Sequence, residues 1–237
     1  MSRPTIPIDL YRDALEVFHW ATKRHFQLWF TGTSHSRHRR TESVLCRLAR
    51  NGEARAVRYG SGLIYSLMRK KSEEFRGLEK VAHGLACTEG LVRTYRSSLD
   101  GEVIAEKFFA GPGSVPEWGI RYPDGKMLLF EFGTKHNFYF SGMMRGKLSA
   151  YKANLEKIEE KFQAKAVVVF VLDVPRSAVE RYVGSLRSAS PSGDRFPSDP
   201  FFFTDYKTFL DVPIGDQLKA PIYIWSDGGS YPLKNNV

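Results

Sequence analysis

Two groups of polar side chains in this sequence have the types and spacing that chemistry requires. The first is the run Ser36-Arg37-His38-Arg39-Arg40-Thr41, in which three arginines, a histidine and two hydroxyls fall within two helical turns. Guanidinium forks and hydroxyl groups are what meets phosphate oxygens and base edges in a DNA groove. The second is a pair of glutamates, Glu117 and Glu131, fourteen residues apart with Tyr122-Pro-Asp-Gly-Lys126 between them. That pentapeptide is a strong turn signal, so the two carboxylates can be brought to one end of a hairpin. Two lysines follow, Lys135 and, on a long helical pattern, Lys147. The plainer reading of the glutamates is as strand acids on a solvated face.

The charge around the two groups differs sharply. Residues 1–71 hold 14 Lys/Arg against 5 Asp/Glu, and the rest hold 21 against 21, so the whole net charge of +9 lies in the first third. Such asymmetry points to a nucleic-acid-binding module joined to a neutral domain. Cys46 and Cys87 sit inside apolar helical patterns. They suggest neither a disulfide framework nor a cysteine zinc site, and a reducing, cytoplasmic setting is expected. No stretch has the length of a membrane span and no apolar leader opens the chain, so membrane functions are not expected.

The elements that must hold the basic run are three helices and a hairpin. Residues 8–22 carry Leu10, Ala14, Val17 and Phe18 at helical spacing, and 23–30 form a second, shorter helix. The third starts near Ser36, turns Val44, Leu45 and Leu48 inward, and closes at Asn51-Gly52. Two alternating runs, 54–59 and 63–68, joined by Gly60-Ser61-Gly62, make a hairpin. This is the layout of a winged helix-turn-helix over residues 1–71. Its recognition helix would present Ser36, Arg37, His38, Arg39, Arg40 and Thr41 to double-stranded DNA, with Arg55 and Arg58 on the wing meeting phosphates. His35 and His38 lack the partners a metal site needs and suit phosphate contact better. A palindromic target would make a homodimer plausible.

Residues 72–237 read as a second domain. A connecting helix covers 70–97, with His83 as a hydrogen-bonded packing residue. Strands are expected at 102–109, 115–122 and 127–132. A helix over 141–162 turns Met144, Leu148, Tyr151, Leu155, Ile158 and Phe162 inward. The run Ala-Val-Val-Val-Phe-Val-Leu, 166–172, is a strand buried on both faces. Pro175 then opens a helix to about 188, a turn-rich loop covers 188–200, and short strands at 201–204 and 222–225 precede a frayed tail.

Helix, three strands, helix and strand from 73 to 173 resembles the core of the PD-(D/E)XK nuclease superfamily, a restriction-endonuclease-like mixed-sheet domain of α+β or α/β class. The resemblance implies that Pro116-Glu117 and Glu131 hold Mg²⁺ or Mn²⁺ and that a lysine positions the attacking water. The usual lysine position, two residues beyond the second acid, is Gly133 here. Lys135, or Lys147 from the following helix, would serve instead, with Glu79 as an accessory acid. The whole order is also similar to the replication-relaxation family of plasmid and mobile-element proteins, which join a winged helix to a nuclease-like domain. That similarity rests on Arg47-Leu-Ala-Arg-Asn-Gly52, His83-Gly-Leu-Ala-Cys-Thr88, Pro116-Glu117, Glu131-Phe-Gly-Thr134, Lys147-Leu-Ser-Ala-Tyr151 and Phe201-Phe-Phe-Thr204. It implies a DNA-binding protein of a mobile element, acting in replication, relaxation, transfer or transcriptional control with partner proteins. The alternative it implies is a metal-dependent DNA endonuclease using Glu117, Glu131 and a lysine.

Overall fold

Apolar side chains at intervals of three and four make Ile8–Val17 the first helix, α1, which buries Tyr11, Ala14 and Leu15. The inward stripe is rotated from the expected one, and Leu10 is among the exposed apolar residues. The helix also stops earlier than expected: the Phe18 amide closes it on the Ala14 carbonyl at 3.0 Å. Extended Ala21–Thr22 (β1) then leads into α2, Lys23–Trp29. In the computed structural model, the described residues are 7–30, 41–68, 77–97, 101–109, 115–135, 141–188, 201–213, 221–224 and 230–232. The chain divides into two compact units, Met1–Val92 and Arg93–Val237.

In the first unit, α3 (Thr41–Arg50) ends on a left-handed Gly52, φ 74°. The Glu53 amide reaches back to the Leu48 carbonyl at 2.9 Å, which satisfies an end carbonyl of the helix. Strands β2 (Ala54–Tyr59) and β3 (Gly62–Leu67) pair antiparallel, and β1 joins the other edge of β3, giving the order β1-β3-β2. Tyr11, Phe18, Phe26, Trp29 and Phe30 form a chain of tilted and edge-to-face rings in its core. Helix α4, Gly77–Ser97, contains the division between the units, which therefore lies later than the expected 71/72. Its early turns belong with the first unit because Gly84 lies against Trp20, where an added Cβ would stand 2.8 Å from Cδ1, and Glu89 bonds His25.

The second unit is a seven-stranded mixed sheet in the order β10-β9-β8-β7-β6-β5-β4. Its strands are β4 (Glu102–Ala105), β5 (Trp118–Arg121), β6 (Lys126–Gly133), β7 (Lys165–Leu172), β8 (Phe201–Asp205), β9 (Pro221–Ile224) and β10 (Ser230–Pro232). A 3-10 turn at Glu106–Phe109 replaces the second half of the first expected strand. β4, β5 and β6 form an antiparallel meander, whereas β6, β7 and β8 run parallel. The parallel steps need crossover helices, which are α5 (Ser141–Phe162) and α6 (Arg176–Ser188). The apolar run of β7 sits in the middle of the sheet, buried from Val168 to Leu172. A short α7, Tyr206–Asp211, follows β8 where no element was assigned, and the strand β10 arises where a frayed tail was expected. The fold is thus α+β: a helical first unit with a small sheet, then a mixed sheet with helices.

Candidate functional site

Glu131 lies near the C-terminal end of β6, where the sheet turns from antiparallel to parallel pairing. The Tyr122–Lys126 turn fixes that register: Gly125 takes φ 79°, the Tyr122 amide donates to the Lys126 carbonyl at 2.8 Å, and Asp124 Oδ1 accepts from the Lys126 amide. Trp118 of β5 stacks on Phe130 at 5.0 Å, so those two rings share one face of the sheet. Since side chains alternate along β6, Glu131 is on the opposite face, while Glu117 stands in the bend just before β5. The Glu117 amide also donates to the Phe130 carbonyl at 2.9 Å, which ties the start of β5 to this end of β6. The two expected carboxylates are therefore at one end of the hairpin, and the Glu117 charge disfavours ionisation of Glu131.

Helix α5 covers that face. Its residues Lys147 and Tyr151, one turn apart, both reach Glu131: the ammonium bonds Oε1, and the phenol donates to Oε2 at 2.8 Å. Glu131 is only 2% exposed and Tyr151 is fully buried, its ring edge-on to Phe170 at 5.8 Å. The Lys147 side chain keeps 25% of its surface in solvent, so solvent reaches this triad on the lysine's side. Burial pushes the Glu131 carboxyl above the usual carboxylate range. The Lys147 charge opposes that rise, Glu117 adds to it, and the bonds from Lys147 and Tyr151 oppose it.

Of the two lysines expected to serve this site, the structure brings Lys147 to Glu131 and leaves Lys135 exposed just beyond β6. Gly133 explains why no lysine stands in the strand. It shares Glu131's face and pairs with Leu172, and an added Cβ would lie 2.6 Å from Leu172 Cδ2 and 4.0 Å from Met144 Sδ. The space above position 133 belongs to the core, so a strand lysine has no room, and α5 delivers the cation instead. Two carboxylates are the donor chemistry that hard divalent cations take. Tyr151 was expected in the apolar stripe of α5 and as the end of the Lys147–Tyr151 motif, with no role at the site. The signal that distinguishes it is a hydroxyl on that stripe one turn after a lysine.

In the first unit, Ser36, Arg37, His38, Arg39 and Arg40 lie outside the described residues, as does His35. Thr41 is fully buried and its hydroxyl lies 3.2 Å from Tyr11 Oη, so it packs α3 against α1 and does not face a groove. Arg58 is exposed on β2 and Arg55 is half-buried. Three positions apart, they point to opposite faces of the ribbon. The side chain of Glu79 is outside the described residues. His83 Nε2 lies 3.5 Å from Cys87 Sγ on the next turn of α4. No helix among the described residues is long and apolar enough to cross a membrane. No family model matches the chain, and no curated protein matches it.

Proposed function

We propose that the protein binds double-stranded DNA through its first unit, used as a winged helix-turn-helix, and that the second unit is a nuclease-like scaffold. The observation that carries this is the confinement of the net charge, 14 cations against 5 anions in residues 1–71, to the segment that forms three helices and the β1-β3-β2 sheet. The element order α1-β1-α2-α3-β2-β3 supports it, because a three-helix unit with a terminal β-ribbon leaves the third helix and the ribbon to meet a duplex. A role in replication, relaxation, transfer or transcriptional control of a mobile element is part of the proposal and rests on the motif resemblance. Duplex affinity measured against salt tests it. The logarithm of the affinity should fall linearly with the logarithm of salt concentration, and Arg39→Ala with Arg40→Ala should flatten that slope by about 2. Affinity indifferent to ionic strength sinks the proposal.

One contact favours a second reading, metal-dependent DNA cleavage: the Lys147 ammonium on Glu131, beside Glu117. A divalent cation held by Glu117 and Glu131 would supply Lewis-acid activation of water and charge neutralisation at a phosphate. Lys147 supplies a partly exposed positive charge beside Glu131, where it can orient a water or meet a phosphate oxygen. Gly133, tightly packed, keeps the strand position closed so that the cation enters only from α5. Supercoiled plasmid incubated with Mg²⁺ or Mn²⁺ tests this reading: cleavage should appear with the intact chain and vanish in Glu131→Ala. Cleavage that persists in that variant removes the site from the reaction.

A further inference from the structure

We infer that Tyr151 is the positioning residue of this site: its hydroxyl fixes the rotation of the Glu131 carboxylate, so that Oε1 is the oxygen presented to Lys147 and to a divalent cation. The inference rests on the cleavage reading of the same site. Its basis is the division of labour between the two oxygens. Oε2 takes the phenol at 2.8 Å, and Oε1 takes the ammonium. The phenol cannot wander, because Tyr151 is fully buried and its ring meets Phe170 edge-on at an interplanar angle of 90°. The ammonium is the donor on the solvent side, because a quarter of the Lys147 side chain is exposed. A fully buried donor on Oε2 and a partly exposed one on Oε1 leave Oε1 as the oxygen on the side a cation can reach. Both donors come from α5 at a spacing of four residues, so one helix sets the lysine and the carboxylate together. Groups that hold a metal-binding carboxylate by hydrogen bonds orient it and tune its affinity without touching the metal.

Tyr151→Phe removes one oxygen and keeps the ring against Phe170. In the full chain, Mn²⁺ affinity without DNA, followed by electron paramagnetic resonance, should weaken about 10-fold. Plasmid cleavage should lose kcat by about 10- to 100-fold with KM for DNA unchanged. In a Glu131→Gln background the same change should have no further effect on Mn²⁺ affinity, since there is no carboxylate left to orient. A purely structural tyrosine predicts a lower Tm with Mn²⁺ affinity and kcat intact, and that result overturns the inference while the cleavage reading survives. An intact chain that neither binds Mn²⁺ nor cleaves overturns both. If Tyr151→Phe does not fold, 3-fluorotyrosine at Tyr151 retains the hydroxyl, and its ¹⁹F resonance should shift on Mg²⁺ addition. A resonance that Mg²⁺ leaves unmoved overturns the inference.

Discussion

At Glu131 the balance between burial and pairing can be read from pH. Unfolded, a glutamate ionises near pH ~4.3. Folded, burial holds the Glu131 proton to higher pH, even against Lys147. The native state therefore binds more protons than the unfolded chain between those two values, and this residue's contribution to stability falls as pH rises through that window. Lys147→Met should make that fall steeper, because the charged carboxylate then loses its counter-ion. Urea unfolding at pH 8 should show a loss of about 3 kcal/mol, from the uncompensated buried charge. At pH 5 the loss should be smaller, since the raised proton affinity leaves the carboxyl more often neutral there than at pH 8 and a neutral carboxyl needs the ammonium less. Equal losses at the two pH values would mean that the pair carries no buried charge. Two residues further along β6, Gly133→Ala should cost about 1–3 kcal/mol in the same assay, because Leu172 is fully buried and has little room to yield.

Among the elements, α2 shows how a short helix is fixed at its start. The Thr22 amide donates to His25 Nδ1 at 3.1 Å, so the ring proton sits on Nε2, which donates to Glu89 Oε2 at 2.9 Å. One imidazole thus closes the first turn of α2 and ties it to α4. His25→Ala should lower stability by about 1–2 kcal/mol through the lost cap and the lost bond to Glu89. His25→Gln, which can still reach back to the Thr22 amide, should recover part of it. Thermal unfolding of the two variants checks this, and identical Tm values would show that the cap contributes nothing. Helix α7 is a second case: Asp205 Oδ1 caps it by accepting the Thr208 amide at 2.8 Å, while Arg93 donates to the Leu210 carbonyl at 2.8 Å near its other end. Six residues hold a helix here because both ends have partners.

For the molecule as a whole, DNA affinity and cleavage are predicted to separate. On the proposed readings, the cations of residues 1–71 would govern the first and the Glu131 site the second. Glu131→Gln should leave salt-dependent duplex binding intact while removing metal-dependent cleavage, as read by fluorescence anisotropy and plasmid nicking on the same preparation. Loss of duplex binding in that variant would show that the two functions share one surface.

The strongly periodic and continuously apolar stretches were legible from residue order alone. The bounds of α5 match the expected 141–162, and β7 extends the expected 166–172 by one residue, because period and burial on both faces are local properties of side chains. The Tyr122–Lys126 turn likewise announced the hairpin that carries both glutamates. What residue order left open depended on distant neighbours. The two-residue β1 is a strand only because β3 passes beside it, and β10 only because β9 does. The inward face of α1 shifted toward Tyr11 because Thr41, Phe26 and Phe30 wait there to receive its ring. The candidate site divides the same way. Sequence alone singled out Glu117, Glu131 and two eligible lysines, since charged residues beside a tight turn are visible one at a time. Only the tertiary structure chose Lys147 over Lys135, filled the space above Gly133 with Leu172, and set Tyr151 against Glu131. Each of those choices is made where α5 crosses the face of β6, a distance that no local pattern encodes.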